Sequence, residues 1–148
     1  MRILSLDPGL TTGYVLAESD RKDRFKLIDM GHLKTPEKAY QYIQSRPIDQ
    51  VVYEGFARGN SVVDTQIKTI ELCGGIKAAC YLKCIPYKMQ YPAKRTGYIP
   101  VAKYLVKQSG HTYEEMHHAI DAIAHLLCYC DESHLFWNKQ NLLKEVFE

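Results

Sequence analysis

No apolar run in the 148 residues approaches the roughly 18 needed to cross a membrane as a helix. A helical membrane protein is therefore excluded, and no membrane partner is expected. Only four residues separate Arg2 from Asp7, too few for the apolar centre of a secretion signal, so a cytoplasmic location is expected. Disulfides are not expected either. The five cysteines are an odd number, and without a secretion signal they read as reduced thiols. Cys128, Cys130 and His134 have the chemistry of zinc ligands, but their C-x-C-x3-H spacing lacks a second pair. Small buried apolar residues are the plainer reading of these cysteines. Repeats, low-complexity stretches and linkers are also missing. A chain of 148 residues suits one domain that can bury a core without cross-links.

Acidic residues are absent from 72 to 107. That segment holds Lys77, Lys83, Lys88, Lys94, Arg95, Lys103 and Lys107, a local +7 hidden within a whole-chain charge of +2. Residues 1–71 balance at zero, and 108–148 carry −5. Tyr81, Tyr87, Tyr91, Tyr98 and Tyr104 interleave the basic run. Lysine and arginine neutralise phosphates, and aromatic faces stack on unpaired bases. A nucleic-acid partner is expected on these grounds. The competing account is a solvated face whose tyrosines half enter the core.

Three β-rich runs open the chain, at 2–7, 12–17 and 25–30. Pro8-Gly9 between the first two predicts a type II turn, with glycine at positive φ. A helix over 36–45 starts on Pro36, and a fourth strand over 49–54 ends on Glu54. A loop at 56–61 leads to a helical pattern over 62–81, in which Gly74-Gly75 predicts close packing. A short fifth strand at 84–87, a loop at 91–97 and a helix at 99–108 ending at Gly110 follow. The clearest helix is 114–130, where Met116, Ala119, Ile120, Ile123, Leu126 and Leu127 recur at helical spacing. The remainder, 131–148, is amphipathic and reads as a C-terminal helical extension of a domain formed by 1–130. This order predicts an α/β fold, a mixed five-stranded sheet flanked by helices, with strands 1–3 antiparallel and 4–5 parallel.

Asp7 and Glu54 end strands that would pair in parallel. Two acids side by side repel, and they call for a cation or a shared proton. Hard divalent ions favour such oxygens. Asp121 sits in the last strong helix, with His118, His117 and His125 at helical spacing. The plain account of an isolated Asp121 is a surface aspartate paired with histidine. With two strand-end acids as partners, a shared metal site is the better account. Two divalent ions roughly 3.5–4 Å apart can activate water and stabilise the leaving oxygen of a phosphodiester.

The run from Ile3 to Tyr14, Ile-Leu-Ser-Leu-Asp-Pro-Gly-Leu-Thr-Thr-Gly-Tyr, resembles the opening motif of RuvC-like Holliday junction resolvases. Val51-Val-Tyr-Glu54 followed by Gly55-Phe56 is similar to that family's second acidic motif, and His118-Ala-Ile-Asp-Ala-Ile-Ala124 to its closing helix motif. The resemblance spans about residues 1–130. It implies a ribonuclease H-like fold, a homodimer, and metal-dependent nicking of branched DNA. Asp7, Glu54 and Asp121 match the family's acidic ligands of two Mg²⁺ or Mn²⁺ ions. The fourth position falls on His118, which would bind metal or stand beside the nucleophilic water. His117 is the weaker alternative, and His125 reads as a core or supporting residue. Phe56 could wedge against bases at a junction, or simply pack its loop. Lys94 and Arg95 fall where the family has basic residues near the scissile phosphate. Lys103 and Lys107 could form a helical stripe, with Arg58 and Lys88 as further DNA contacts. Short members of this kind are common in bacteriophages, so the setting implied is a bacterial cell or a phage's host.

Paired symmetric nicks in a four-way junction, leaving 5′-phosphate and 3′-hydroxyl ends, are the implied reaction. Other readings keep the fold and change the substrate to RNA, flaps or forks, or remove catalysis and leave a junction-binding scaffold. A phosphate loop of the sugar-kinase or actin type needs two lobes, for which the chain is too short, so no nucleotide cofactor is expected.

Overall fold

The strand β1 (Arg2–Asp7) has neighbours on both edges and is covered on both faces, which explains its nearly continuous apolar sequence. The computed structural model describes residues 1–19, 25–55 and 64–135. Within them, β2 (Thr12–Ser19) and β3 (Phe25–Leu33) form an antiparallel meander with β1. β4 (Gln50–Glu54) and β5 (Tyr87–Gln90) add parallel strands on its other side. The order across the sheet is β3-β2-β1-β4-β5, the mixed five-stranded sheet that the sequence predicts. α1 (Pro36–Ser45) and α2 (Asp64–Leu82) cover one face, and α3 (Ile99–Gln108) and α4 (Tyr113–Glu132) the other. Among the described residues no helix is long and apolar enough to cross a membrane.

Strand side chains alternate, so β1 feeds two cores. Leu4 and Leu6 meet Val51 and Tyr53 under α1 and α2. Ile3 meets Val15, Ala17 and Val52 under α3 and α4. Asp7 shares the parity of Ile3, and Glu54 that of Val52, so both acids belong to the α4 face. Leu6 pairs with Tyr53 in the parallel register, which sets the two acids level at the strand ends one residue later.

The helix starts are specified locally. Thr35 caps α1 by accepting from Lys38 N–H, with Pro36 in the first turn. Thr112 and Glu115 form a reciprocal capping box on α4. Met116 then leaves helical geometry (φ −119°, ψ 17°), a kink just before His117 and His118. The turn after α3 contains Gly110 at φ 80°, as its glycine implies.

Several expectations need correction. The fifth strand lies at Tyr87–Gln90 and not 84–87, because α2 runs to Leu82 and Cys84 turns the chain at φ 53°. Residues 91–97 are no open loop: Pro92–Tyr98 is a 3-10 helix. Gly9 is not at positive φ, so no type II turn forms there. Residues 8–11 make a wider bend in which a Cβ on Gly9 would lie 3.3 Å from the Thr11 carbonyl. Gly74 and Gly75 face outward, and among the described residues nothing lies within 4 Å of a Cβ placed on either, so the close packing their sequence allows is not made on their own sheet. The 131–148 segment starts within α4, which continues to Glu132, and Leu135 packs on the α4-side core. Residues 136–148 lie outside the described residues.

Gly13 is the glycine the fold requires. A Cβ there would fall 1.9 Å from the His118 carbonyl oxygen and 2.3 Å from its carbon. Both are backbone atoms that no rotamer change can clear. The missing side chain lets α4 lie directly on β2, and Gly13 pairs with Asp7 across the sheet. Gly13→Ala is expected to lower the unfolding free energy by about 2–3 kcal/mol, through overpacking against backbone. Urea unfolding measures this, and a variant as stable as the parent would mean that α4 is not seated here.

Candidate active site

Three elements deliver the three acids to one place: β1 supplies Asp7, β4 supplies Glu54, and α4 supplies Asp121. Asp7 records the crowding most clearly. Its carboxyl is pushed up from 3.8 to about 7, first by burial, then by the charges of Glu54 and Asp121, with Arg95 acting in the opposite direction.

Arg95 links the other two acids. Its Nη1 donates to Glu54 Oε2, and its Nε donates to Asp121 Oδ1 at 3.1 Å. Glu54 Oε2 has a second partner in the fully buried His125, whose Nε2 lies 2.7 Å away. Gln90 lies beyond, opposite Glu54 in the β4–β5 register and almost fully buried. Its amide is satisfied when the nitrogen donates to His125 Nδ1 (2.8 Å) and to the His125 carbonyl (3.1 Å), while the oxygen accepts from Tyr129 N–H (3.2 Å). Nδ1 is then an acceptor, so a neutral His125 carries its proton on Nε2 and donates it to Glu54. The chain from Gln90 through His125 fixes one oxygen of the Glu54 carboxylate.

His118, three residues before Asp121, belongs to a cluster of imidazoles. Its ring centroid is 4.0 Å from that of His117 and 5.3 Å from that of His32, the latter edge-on. The His118 pKa is lowered by burial and by the neighbouring His117 and His32, against the pull of Asp121. His32 lies on β3 opposite Gly13, in line with Asp7 across the sheet. Its Nε2 is buried and meets no hydrogen-bond partner among the described residues. His117 Nδ1 meets the Glu114 carbonyl at 3.1 Å.

The expected DNA contacts divide into several groups. Arg95 joins the acids. Lys94 pairs with Glu132, an exposed ion pair of the kind that contributes little to stability. Lys103 lies over the Tyr113 ring at 4.6 Å. Lys107 and Lys88 are exposed, on α3 and on the edge strand β5. Phe56 and Arg58 lie outside the described residues. Lys83 closes the end of α1, where its Nζ donates to the carbonyls of Ile43, Gln44 and Arg46 at 3.0–3.1 Å. His32 and Gln90 are absent from the sequence reading. A longer β3 and a later β5 would have directed attention to both.

Among the described residues, no three His, Cys, Asp or Glu side chains are closed around a single cation position. The donor set nevertheless fits Mg²⁺ or Mn²⁺. It offers hard carboxylate oxygens at strand ends, and three acids face one guanidinium, which leaves negative charge uncompensated.

The raised Asp7 pKa carries a definite sign. The folded protein holds this proton more tightly than the unfolded chain, so folding loses stability as pH rises from about 4 to about 7. Asp7→Asn removes that loss. In chelator, its stability advantage over the parent should grow across this interval and level off above it, at most on the order of 4 kcal/mol. Urea unfolding from pH 4 to pH 8 measures it. A difference that does not change with pH would mean that Asp7 is not crowded by the other acids.

No family model matches the chain, and no curated protein sequence matches it. Solved structures do. Thermus thermophilus RuvC in complex with Holliday junction substrate superposes with a TM-score of 0.69 at 14% identity, over 91% of this chain and 96% of that one. A second Thermus thermophilus RuvC structure gives 0.64 at 18% identity, with the same coverage. The yeast mitochondrial Holliday junction resolvase Ydc2 gives 0.60 at 12% identity, over 97% of this chain and 83% of that one. Identities this low establish fold alone. The chain has the fold of RuvC, a mixed five-stranded sheet of the ribonuclease H type with helices on both faces.

Proposed function

We propose that the protein is a divalent-metal-dependent endonuclease that cuts branched DNA, with four-way junctions as its substrate. The observation that carries this reading is the convergence of Asp7, Glu54 and Asp121 from three elements. Its support is a fold shared with a RuvC bound to a Holliday junction.

Asp7, Glu54 and Asp121 would hold the metal, with His118 as the fourth ligand or as a base beside the attacking water. Two bound Mg²⁺ or Mn²⁺ ions supply an activated water and stabilise the leaving oxygen. The chain's own groups do the rest. His125 and Gln90 hold Glu54 so that its carboxylate need not reorganise. A lowered pKa keeps His118 neutral near pH 7, with a lone pair free for a proton or a ligand. Lys88, Lys103 and Lys107 neutralise backbone phosphates and orient the duplex arms, with Lys94, Phe56 and Arg58 as further candidate contacts. The nuclease unit would run through the end of α4 at Glu132, two residues beyond the boundary expected from the sequence.

Paired nicks require two sites related by a two-fold axis, so the active species is a homodimer. The outer face of α2 is the proposed contact. Ile67 and Ile70 are exposed there, and among the described residues nothing lies within 4 Å of a Cβ placed on Gly74 or Gly75. Gly74→Arg should leave the protomer folded, shift it to monomers in sedimentation, and uncouple the two nicks. A Gly74→Arg protein that remains dimeric and nicks in pairs would move the interface elsewhere.

The direct test uses a labelled four-way junction, a linear duplex, a flap and an RNA duplex, each with Mg²⁺, Mn²⁺ or chelator. Symmetric ligatable nicks in the junction are expected, with none in chelator. Asp7→Asn, Glu54→Gln and Asp121→Asn should each lose at least about a hundred-fold in rate while still binding the junction. Equal cutting of flaps or RNA would broaden the substrate class. Binding without cutting in either metal would leave a junction-binding scaffold.

A further inference from the structure

Arg95 holds oxygens of two carboxylates that would bind a metal ion at this site. Its guanidinium spans Glu54 Oε2 and Asp121 Oδ1, two of the three carboxylates assigned to the metal. A divalent ion that takes those oxygens competes with the guanidinium for their lone pairs, and the two positive charges repel. Without metal, the arginine is the only cationic side chain that ties two of the acids together among the described residues.

The surroundings allow this side chain to leave. Arg95 lies on the 3-10 segment Pro92–Tyr98, which is tied to the end of α4 on both sides of it. Lys94 pairs with Glu132, and the Tyr98 hydroxyl donates to Asp131 Oδ2 at 2.6 Å. The backbone is thereby held while the Arg95 side chain stays independent of those ties. An open surface hollow of about 460 Å³ lies here, lined by Arg95 itself with Pro92, Ala93, Thr96, Ile99 and Asp121. Rotation of the side chain into this space requires no movement of an α-helix. Departure of the arginine also leaves Glu54 oriented, because His125 still donates to the same oxygen at 2.7 Å.

We infer that Arg95 is an internal counter-cation which divalent metal displaces, and that the released guanidinium then binds a DNA phosphate beside the acids. This rests on the metal-site reading given above. Charge drives both halves. With Asp7 ionised, above about pH 7, three carboxylates and one guanidinium leave a net −2, and below it −1, which attracts the ions in either case. Two ions bring +4, so the acids no longer hold the arginine, while a phosphate beside them does. Arg95 thus keeps the empty site from repelling itself and becomes a phosphate ligand once the site is loaded.

The test separates metal binding from cleavage. Mn²⁺ affinity is measured without DNA, by electron paramagnetic resonance of free Mn²⁺ at low salt, for the parent, Arg95→Gln and Arg95→Lys. Removing the competing cation should tighten Mn²⁺ binding roughly ten-fold in Arg95→Gln, with Arg95→Lys in between, since lysine has one point of attachment. Junction cleavage at saturating Mn²⁺ should fall at least ten-fold in kcat for Arg95→Gln despite the tighter metal. Weaker or unchanged Mn²⁺ binding in Arg95→Gln overturns the exchange. Tighter binding with unchanged cleavage overturns the phosphate role. Tighter binding in a parent and variant that cut no DNA upholds the exchange and counts against the nuclease reading instead. If Arg95→Gln does not fold, the parent decides. Its Arg95 Nε–H resonance, held by Asp121, should move toward that of a free arginine as Mg²⁺ is added. A resonance that stays in place overturns the exchange.

Discussion

Carboxylates buried near one another repel, and burial removes the water that would screen them. Here that repulsion acts at the carboxyl end of β1 and β4, where Asp7 retains a proton to about pH 7. The unfolded chain has no such conflict. The site therefore exists only because other interactions hold the elements together against it. β1 and β4 share a continuous parallel register up to these residues, with Leu6 opposite Tyr53. Separating the acids would mean breaking the centre of the sheet. The third acid comes from a helix whose apolar face, from Ala119 to Leu127, is fully buried against that sheet. Apolar burial on both faces supplies the force that keeps the charges close.

The seating of α4 shows how narrow the tolerance is. Gly13 allows the helix backbone to touch β2 at His118, and Met116 bends the chain just ahead of that contact. Cap, kink and glycine act in series. The capping box fixes where α4 starts, the kink redirects it, and the missing Cβ lets it settle. His118 and Asp121 follow within one turn, so their positions inherit those three constraints. On the far side, Gln90 reaches the 125–129 step of the same helix and joins β5 to it. The Glu54 carboxylate is thus held from its own strand, from α4 through His125, and indirectly from β5.

Much of this is legible in the amino-acid order. Asp7, Glu54 and Asp121 sit in elements with strong periodicity, and each ends or interrupts an apolar pattern where a carboxylate has no packing reason to be. What the sequence leaves out is set by contacts between elements. His32 falls in no expected element, because the periodicity ends β3 at residue 30, yet its neighbours are helix residues more than 80 positions away. Gln90 escapes notice because the pattern places the fifth strand three residues early, where the positive φ of Cys84 forbids extended pairing. The glycine pair in α2 reads as a place of close approach, either by a second protomer or by its own sheet. Propensity marks only that a side chain is missing there, and Gly13 and Gly74 differ entirely in what surrounds them.

Charge along the chain is the least faithful guide, and the reason is physical. A run of +7 beside a run of −5 looks like a footprint for a polyanion, but the two runs meet in space. Lys94 pairs with Glu132, and Arg95 with Asp121. Lys83 spends its three donors on the carbonyls that close α1. Part of the asymmetry therefore serves the fold. Lys77, Lys88 and Lys107 are exposed, and Lys103 rests on an aromatic face that leaves its charge uncancelled. In the proposed DNA complex Lys88, Lys103 and Lys107 would set the salt dependence, each adding to the slope by the counterions it releases. Arg95 differs from them. Its charge is already committed to the acids, so on the proposed exchange it would add to DNA affinity only once those acids have found another cation.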